Sequence, residues 1–68
     1  MENTLHVDAW TACNLWCHSQ TTNYRIVKCS GKWRLTREVK PGRQWDFLNE
    51  IEYDNASEAL QALELIAK

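Results

Sequence analysis

Residues 24–43, with the sequence YRIVKCSGKWRLTREVKPGR, contain two runs of β-forming residues joined by a short connection. The first run is rich in residues that favour strands, and the second alternates apolar with polar side chains. Residues 30–32, SGK, have the length of a hairpin connection, and the glycine suits a left-handed turn position. Residues 41–42, Pro-Gly, form a second turn signal, because proline fixes φ and the following glycine accepts a positive φ. This stretch therefore predicts a β-hairpin followed by a further turn.

In the next segment, QWDFLNEIEY at residues 44–53, large apolar side chains recur at intervals of two or four residues. These side chains are Trp45, Phe47, Ile51 and Tyr53. A period of two predicts a third strand with one face on a core. Leu48 and Asn49 interrupt the alternation, which indicates either a bulge there or a strand that begins nearer Leu48. Residues 24–53 are thus predicted to form a three-stranded antiparallel meander.

The C-terminal residues have the pattern of an amphipathic helix. Asn55 is a favourable N-cap, and Glu58 follows three residues later, as in a capping box. Apolar residues then recur at helical spacing: Ala59, Leu60, Leu63, Ile66 and Ala67. This spacing predicts a helix over residues 56–67 with one buried side.

Residues 1–22 admit two interpretations. LHV, at residues 5–7, could form a short strand. After it, Asp8 could cap a helix in which Trp10, Cys13 and Cys17 share a face, or a strand could run through WTACNLWCHS. We favour a fourth strand, because it would let the helix cover a wider sheet and would bury Trp10 and Trp16.

The predicted fold is a single α+β domain over residues 1–68: a three- or four-stranded antiparallel sheet (a meander) with one C-terminal helix packed on one face. The predicted core consists of Trp33, Leu35, Trp45, Phe47, Ile51, Tyr53, Leu60, Leu63 and Ile66. A chain of 68 residues buries only about 60% of its unfolded surface, so its stability margin is small.

Charge is distributed unevenly along the chain. The net charge is −1, but seven of the eight Lys and Arg residues lie in residues 24–43, against the single acid Glu38. Residues 44–68 carry six acids against Lys68. Such segregation is typical of proteins that associate with a complementary surface.

The basic hairpin is the main functional lead. We expect it to recognise a partner through Arg25, Lys28, Lys32, Trp33, Arg34, Arg37, Lys40 and Arg43. A protein partner is favoured, because arginine beside an aromatic residue is the usual composition of an interface anchor. An uncovered sheet edge would also permit pairing across a two-fold axis, which predicts a homodimer.

The alternative is a nucleic acid, with phosphates on the basic residues and bases stacked on Trp33 or Tyr24. Two features weigh against it. The positive charges are predicted to divide between two sheet faces, and the acids that follow would repel a long polyanion. Ordinary cross-strand pairs of Arg34 or Thr36 with Glu50 or Glu52 would also explain part of the charge pattern.

Metal, cofactor and catalytic signatures are weak. Cys13, Cys17, His18 and Cys29 could supply zinc ligands, but their spacing does not match a usual zinc knuckle. We expect free thiols, no metal and no cofactor. The chain has no nucleophile elbow, phosphate loop or paired-carboxylate motif, so we expect no enzymatic activity.

The N-terminal sequence MENTLHVDAW lacks the apolar run of a signal peptide, and no stretch is long and apolar enough for a membrane span. We therefore expect a cytoplasmic protein that makes no membrane contact. The predicted order of strands and helix, ending in EALQALELIAK, resembles that of many small bacterial and phage domains. That resemblance covers about two-thirds of the chain and contains no diagnostic motif, so it assigns no site.

Overall fold

The computed structural model describes residues 5–40 and 44–67. Within these residues, five antiparallel strands lie side by side in chain order and precede one helix. The elements are β1 (His6–Trp10), β2 (Asn14–His18), β3 (Asn23–Cys29), β4 (Lys32–Lys40), β5 (Gln44–Phe47) and α1 (Ala56–Ile66). An antiparallel sheet with a C-terminal helix is therefore confirmed, and the expectation of only three or four strands is wrong.

The additional strand comes from the N-terminal residues, which form two strands where one was expected. Their connection is held by Thr11, whose hydroxyl accepts hydrogen bonds from the backbone N–H groups of Cys13 (3.4 Å) and Asn14 (3.0 Å). The backbone N–H of Thr11 donates to the carbonyl of Asn14 at 2.8 Å. Threonine side chains support turns more weakly than glycine or proline, and neither of those marks this turn. The hairpin was missed for that reason.

The β3–β4 hairpin is confirmed, with Ser30 and Gly31 as its two connecting residues. Both have positive φ, 50° and 80° respectively. Two-residue turns with this backbone match the right-handed twist of the strands they join. The predicted Pro41-Gly42 turn lies outside the described residues.

The predicted strand over residues 44–53 is interrupted. β5 ends at Phe47, and Tyr53 returns to the sheet through an isolated bridge with Trp33, made by two N–H···O bonds of 2.8 Å. Between them, the Asn49 side chain accepts a hydrogen bond from the N–H of Ile51 at 3.1 Å. Local bonds of this kind compete with a strand ladder. The broken alternation at Leu48 and Asn49 marks the end of the strand.

Helix α1 begins and ends close to its predicted limits. The Asn55 side chain accepts a hydrogen bond from the N–H of Glu58 at 2.8 Å, as expected for an N-cap. The helix ends at Ile66, one residue earlier than predicted.

One face of the sheet and one side of α1 contribute to a single buried cluster, and we call this side of the sheet the core face. Its sheet members are Leu15, Cys17, Tyr24, Ile26, Trp33 and Leu35, and its helix members are Ala56, Ala59 and Leu63. Tyr53 and Leu60 pack against the cluster while partly exposed. The predicted core residues Trp33, Leu35 and Leu63 therefore lie in the core.

Four other predicted core residues lie outside the core. Phe47, Ile51 and Ile66 are 52%, 54% and 47% exposed, and Trp45 is only half-buried. Alternation shows which residues of a strand share a face, but it does not show which face meets the core. Trp45 and Phe47 share the opposite side of the sheet, which we call the outer face. Trp10 and Trp16 were also expected in the core: Trp10 is 53% exposed, and Trp16 is half-buried on the outer face.

Candidate binding surface

Strand register brings four residues into one row on the outer face. Trp16 pairs with Arg25, Arg25 with Thr36, and Thr36 with Phe47. Residues opposite one another in an antiparallel sheet project from the same side, so these side chains are neighbours. Their sequence neighbours Leu15, Ile26 and Leu35 are fully buried on the core face.

The centre of the outer face is a cluster of two tryptophans and one arginine, which we call the tryptophan–arginine cluster. The guanidinium carbon of Arg25 lies 5.2 Å from the ring centroid of Trp16 and 5.0 Å from that of Trp45. The two indole rings meet edge to face, with centroids 6.0 Å apart and an interplanar angle of 79°. Each distance is within the range of a favourable cation–π or aromatic contact.

A second cation–π contact lies beside the first. The guanidinium carbon of Arg34 is 3.7 Å from the ring centroid of Phe47. The same guanidinium donates a hydrogen bond from Nη2 to the backbone carbonyl of Asn49 at 2.8 Å. Arg34 therefore connects β4 to the chain that follows β5, while Phe47 remains half-exposed.

Among the residues that the structure describes, neither arginine is paired with an acid. Arg25 and Arg34 take no part in the ion pairs found within residues 5–40 and 44–67. Their Nε atoms are buried and have no hydrogen-bond partner in that part of the chain. A buried donor left unpaired costs free energy, which offsets part of the stabilisation that the cation–π contacts supply.

The other basic residues of the hairpin do not share one surface with Arg25 and Arg34. Lys28 and Arg37 are exposed and project from the side of the core face, opposite Trp33 and Tyr24 respectively. Lys32 binds Asp54, and this bond raises the pKa of the ammonium group and lowers the pKa of the carboxyl group. Lys40 is exposed at the end of β4, and Arg43 lies outside the described residues.

Two aromatic side chains that the sequence offered for base stacking are in the core. Trp33 and Tyr24 are each only 8% exposed, so neither ring presents a face to a ligand. The suggested pairing of Arg34 and Thr36 with Glu50 or Glu52 is also wrong. Arg34 lies opposite Val27, and Thr36 lies between Arg25 and Phe47.

A shallow depression of about 230 Å³ borders the tryptophan–arginine cluster. The residues that line it are Asp8, Trp16, Cys17, Asn23, Tyr24, Glu38 and Trp45. Sequence analysis did not select Asp8, Asn23 or Glu38, because they are far apart in the chain and belong to no motif. The strand register places Asn23 and Glu38 on the outer face, and Asp8 reaches it at the irregularity of β1, where it contacts His18.

Side-chain contacts hold these polar groups in position. Nδ1 of His18 lies 2.8 Å from both carboxylate oxygens of Asp8, and the ring of His6 stacks on that of His18 with centroids 5.1 Å apart. The Asn23 amide donates a hydrogen bond to Oε1 of Glu38 at 2.9 Å. The depression therefore has two carboxylates with defined orientations.

The cysteines are free thiols in different surroundings: Cys13 is exposed, Cys17 is buried and Cys29 is half-buried. Burial, followed by the nearby charges of Asp8 and Glu64, raises the pKa of the Cys17 thiol to about 11. The thiol is protonated at neutral pH and is a poor nucleophile. Among the described residues, no three His, Cys, Asp or Glu side chains form a group that could hold a metal ion.

Comparison with protein-family models, curated proteins and solved structures finds no significant match to this chain. In the part of the chain that the structure describes, no helix has the length and apolar character required to cross a membrane.

Proposed function

We propose that this chain is a small, non-enzymatic binding module that recognises a protein partner through the outer face of its sheet. The observation that supports the proposal best is the tryptophan–arginine cluster, with Arg34 and Phe47 beside it. Tryptophan and arginine are the residues most enriched at the energetic centres of protein interfaces. In this chain, the tryptophans and arginines of this surface lie on the sheet face opposite the buried cluster.

The chemistry of this surface favours a partner with both apolar and acidic groups. Half-exposed rings such as Phe47 offer apolar area, and Arg25 and Arg34 carry charges that no acid of the described chain neutralises. Arginine can donate two parallel hydrogen bonds to one carboxylate. A carboxylate of the partner would therefore bind terminal guanidinium nitrogens, since the Nε atoms are buried.

A nucleic acid is the second candidate, and the geometry favours it less. The flat sides of both guanidinium groups contact rings of the chain itself, and Asp8 and Glu38 lie on the same face. Lys28 and Arg37 project from the other side of the sheet. A single-stranded nucleic acid requires a continuous basic groove, which this arrangement does not provide.

Affinity measurements with matched double variants test the proposal. A partner is captured from native cell extract with the tagged full chain, purified and titrated against Arg25→Ala/Arg34→Ala and Lys28→Ala/Arg37→Ala. Both variants remove two positive charges, but from opposite sides of the sheet. We expect the outer-face variant to lose at least about 30-fold in affinity, as for removal of an interface anchor. The control variant should lose less than about threefold.

Equal losses in the two variants would show that net charge, and not the outer face, determines binding. The same proteins are also titrated with mixed-sequence single-stranded RNA at two salt concentrations. Tight binding that falls steeply with salt and disappears in the outer-face variant would establish the nucleic-acid function instead.

A further inference from the structure

We propose that β1 pairs with β1 of a second copy of this chain, so that the two sheets join edge to edge about a two-fold axis. This pairing gives the homodimer expected from the sequence a specific edge and register. It uses neither Arg25 nor Arg34, and it therefore goes beyond recognition of a partner by the outer face. Three features of β1 support it: backbone groups that point away from the sheet, the spacing of those groups and the exposed apolar side chains of the same residues.

The hydrogen bonds of β2 show which of its residues face β3. The N–H of Ser19 donates to the carbonyl of Thr22, and the carbonyl of Cys13 accepts from the N–H of Lys28, both on the side of β3. In antiparallel strands, residues that bond to one neighbour alternate with residues that bond to the other. The odd-numbered residues of β2 therefore direct their backbone groups to β3.

Two residues of β1 consequently direct their backbone groups away from β2. Val7 lies opposite Cys17 and Trp10 lies opposite Leu15, and both of these partners face β3. The N–H and C=O groups of Val7 and Trp10 thus point to the open side of β1, which is the first strand of the sheet. Such groups are a template for pairing with another strand.

The spacing of these groups selects the strand that fits. Residues that face one edge of a regular strand are two apart. Val7 and Trp10 are instead three apart, because the register of β1 shifts between Val7 and Ala9. A regular strand matches only one of the two residues. A second β1 running antiparallel has the same spacing, and it places Val7 of each chain opposite Trp10 of the other. Each of these pairs exchanges two backbone hydrogen bonds.

Val7 and Trp10 also carry the exposed apolar side chains of β1. They are 48% and 53% exposed. Both lie on the core face, because their register partners Cys17 and Leu15 are buried there. Helix α1 packs mainly on β3 and β4, and the residues of β1 remain exposed. In the proposed register each valine covers a tryptophan of the other chain, and cross-strand pairs of this kind are stabilising.

The charges of β1 are compatible with this pairing. Like charges directly opposite one another across two strands are destabilising. The register places Asp8 of one chain opposite Ala9 of the other, and Asp8 contacts His18 of its own chain. The strand also contains no lysine or proline, the residues that protect many sheet edges from association.

Sedimentation equilibrium and nuclear magnetic resonance of the full chain test the pairing. Concentrations between about 10 µM and about 1 mM cover the range of weak self-association. We expect the measured mass to rise with concentration from that of one chain towards that of two. In ¹H–¹⁵N spectra over the same range, the amide resonances of Val7 and Trp10 should shift in a saturable manner. The amide of Lys28, which bonds to Cys13 inside the sheet, is the internal control and should not shift.

Two matched pairs of variants test the contact itself. Val7→Pro removes the outward N–H, and proline is tolerated where the N–H of an edge strand faces solvent. Val7→Ala shortens the side chain and keeps the N–H. Because the two-fold axis doubles each loss, Val7→Pro should weaken self-association at least about tenfold more than Val7→Ala.

The second pair keeps the test decisive if Val7→Pro fails to fold. Trp10→Lys should weaken self-association at least about tenfold, whereas Leu65→Lys, at a 70% exposed position of α1, should weaken it less than about twofold. The pairing would be excluded by the mass of one chain at every concentration, by association that shifts neither Val7 nor Trp10, or by equal losses in Trp10→Lys and Leu65→Lys. The partner titration depends on Arg25 and Arg34, so failure of either experiment can be told from failure of the other.

Discussion

The indole rings of Trp16 and Trp45 meet edge to face, although their strands β2 and β5 are separated in the sheet by two others. Both side chains extend across the outer face and contact Arg25 on β3. The central part of the candidate surface therefore depends on the register of β2, β3, β4 and β5 together.

This contact predicts an energetic coupling between Trp16 and Trp45. In a double-mutant cycle with Trp16→Ala and Trp45→Ala, urea unfolding should show a coupling free energy of about 0.5–1.5 kcal/mol, as for other aromatic pairs. The same cycle with Trp10→Ala and Trp45→Ala is the control, since Trp10 is exposed on β1. In this control cycle, the losses of unfolding free energy in the two single variants should be additive to within about 0.5 kcal/mol. Coupling of equal size in both cycles would contradict a specific contact.

The buried side of α1 can be tested with two leucines of the same helix. Leu63 is fully buried, and Leu65 is 70% exposed. Leu63→Ala should lower the free energy of unfolding by about 2–5 kcal/mol, enough to unfold much of so small a domain. Leu65→Ala should change it by less than about 0.5 kcal/mol. Thermal unfolding followed by circular dichroism measures both, and a Leu63→Ala protein with an unchanged Tm would contradict this packing.

Those features that sequence could predict are local ones. The cap at Asn55, the helical spacing after it and the Ser30-Gly31 turn each lie within a few residues, and all three were found where expected. The Thr11 turn is also local, but threonine is a weak turn signal, so β1 and β2 were not separated.

The candidate surface could not be predicted in the same way. Arg25 was selected for its charge alone, and its contacts with two tryptophans arise from strand register. Trp45 was assigned to the core because alternation does not identify the buried face. Asp8 and Glu38 come together with Trp16 only in the folded sheet, 30 residues apart in sequence from one another.

The β3–β4 turn offers a stabilising substitution. Ser30 has a φ of 50°, in the left-handed region that asparagine tolerates better than serine. Asn-Gly is also the preferred sequence for this class of two-residue turn. We expect Ser30→Asn to raise the free energy of unfolding by about 0.5 kcal/mol, measured by urea unfolding. Ser57→Asn, at an exposed position of α1, should give no increase, and a destabilised Ser30→Asn protein would contradict the turn geometry.

Cys17 predicts a loss of stability at alkaline pH. Burial and the nearby acids raise its pKa from 9.0 to about 11 in the folded chain, so the unfolded chain releases this proton first as pH rises. The stabilisation by the neutral thiol is therefore complete below about pH 9 and is lost between about pH 9 and pH 11. Urea unfolding should show a loss of about 1 kcal/mol between pH 8 and pH 10 from this group. The Cys17→Ala protein should not show this loss of unfolding free energy between pH 8 and pH 10, and the Cys13→Ala protein should still show it.

Replacing Arg25 with methionine separates stability from recognition. The Nε atom of Arg25 is buried and has no hydrogen-bond partner among the described residues. A methionine sulfur can contact both tryptophan rings and requires no acceptor. We expect Arg25→Met to change the free energy of unfolding by less than about 1 kcal/mol, while affinity for the captured partner falls at least about tenfold. Arg37→Met, at an exposed position on the other side of the sheet, should alter neither. If Arg25→Met instead lost more than about 2 kcal/mol in urea unfolding, Arg25 would be a structural residue, and Arg34 and Phe47 would remain as the anchors of the surface.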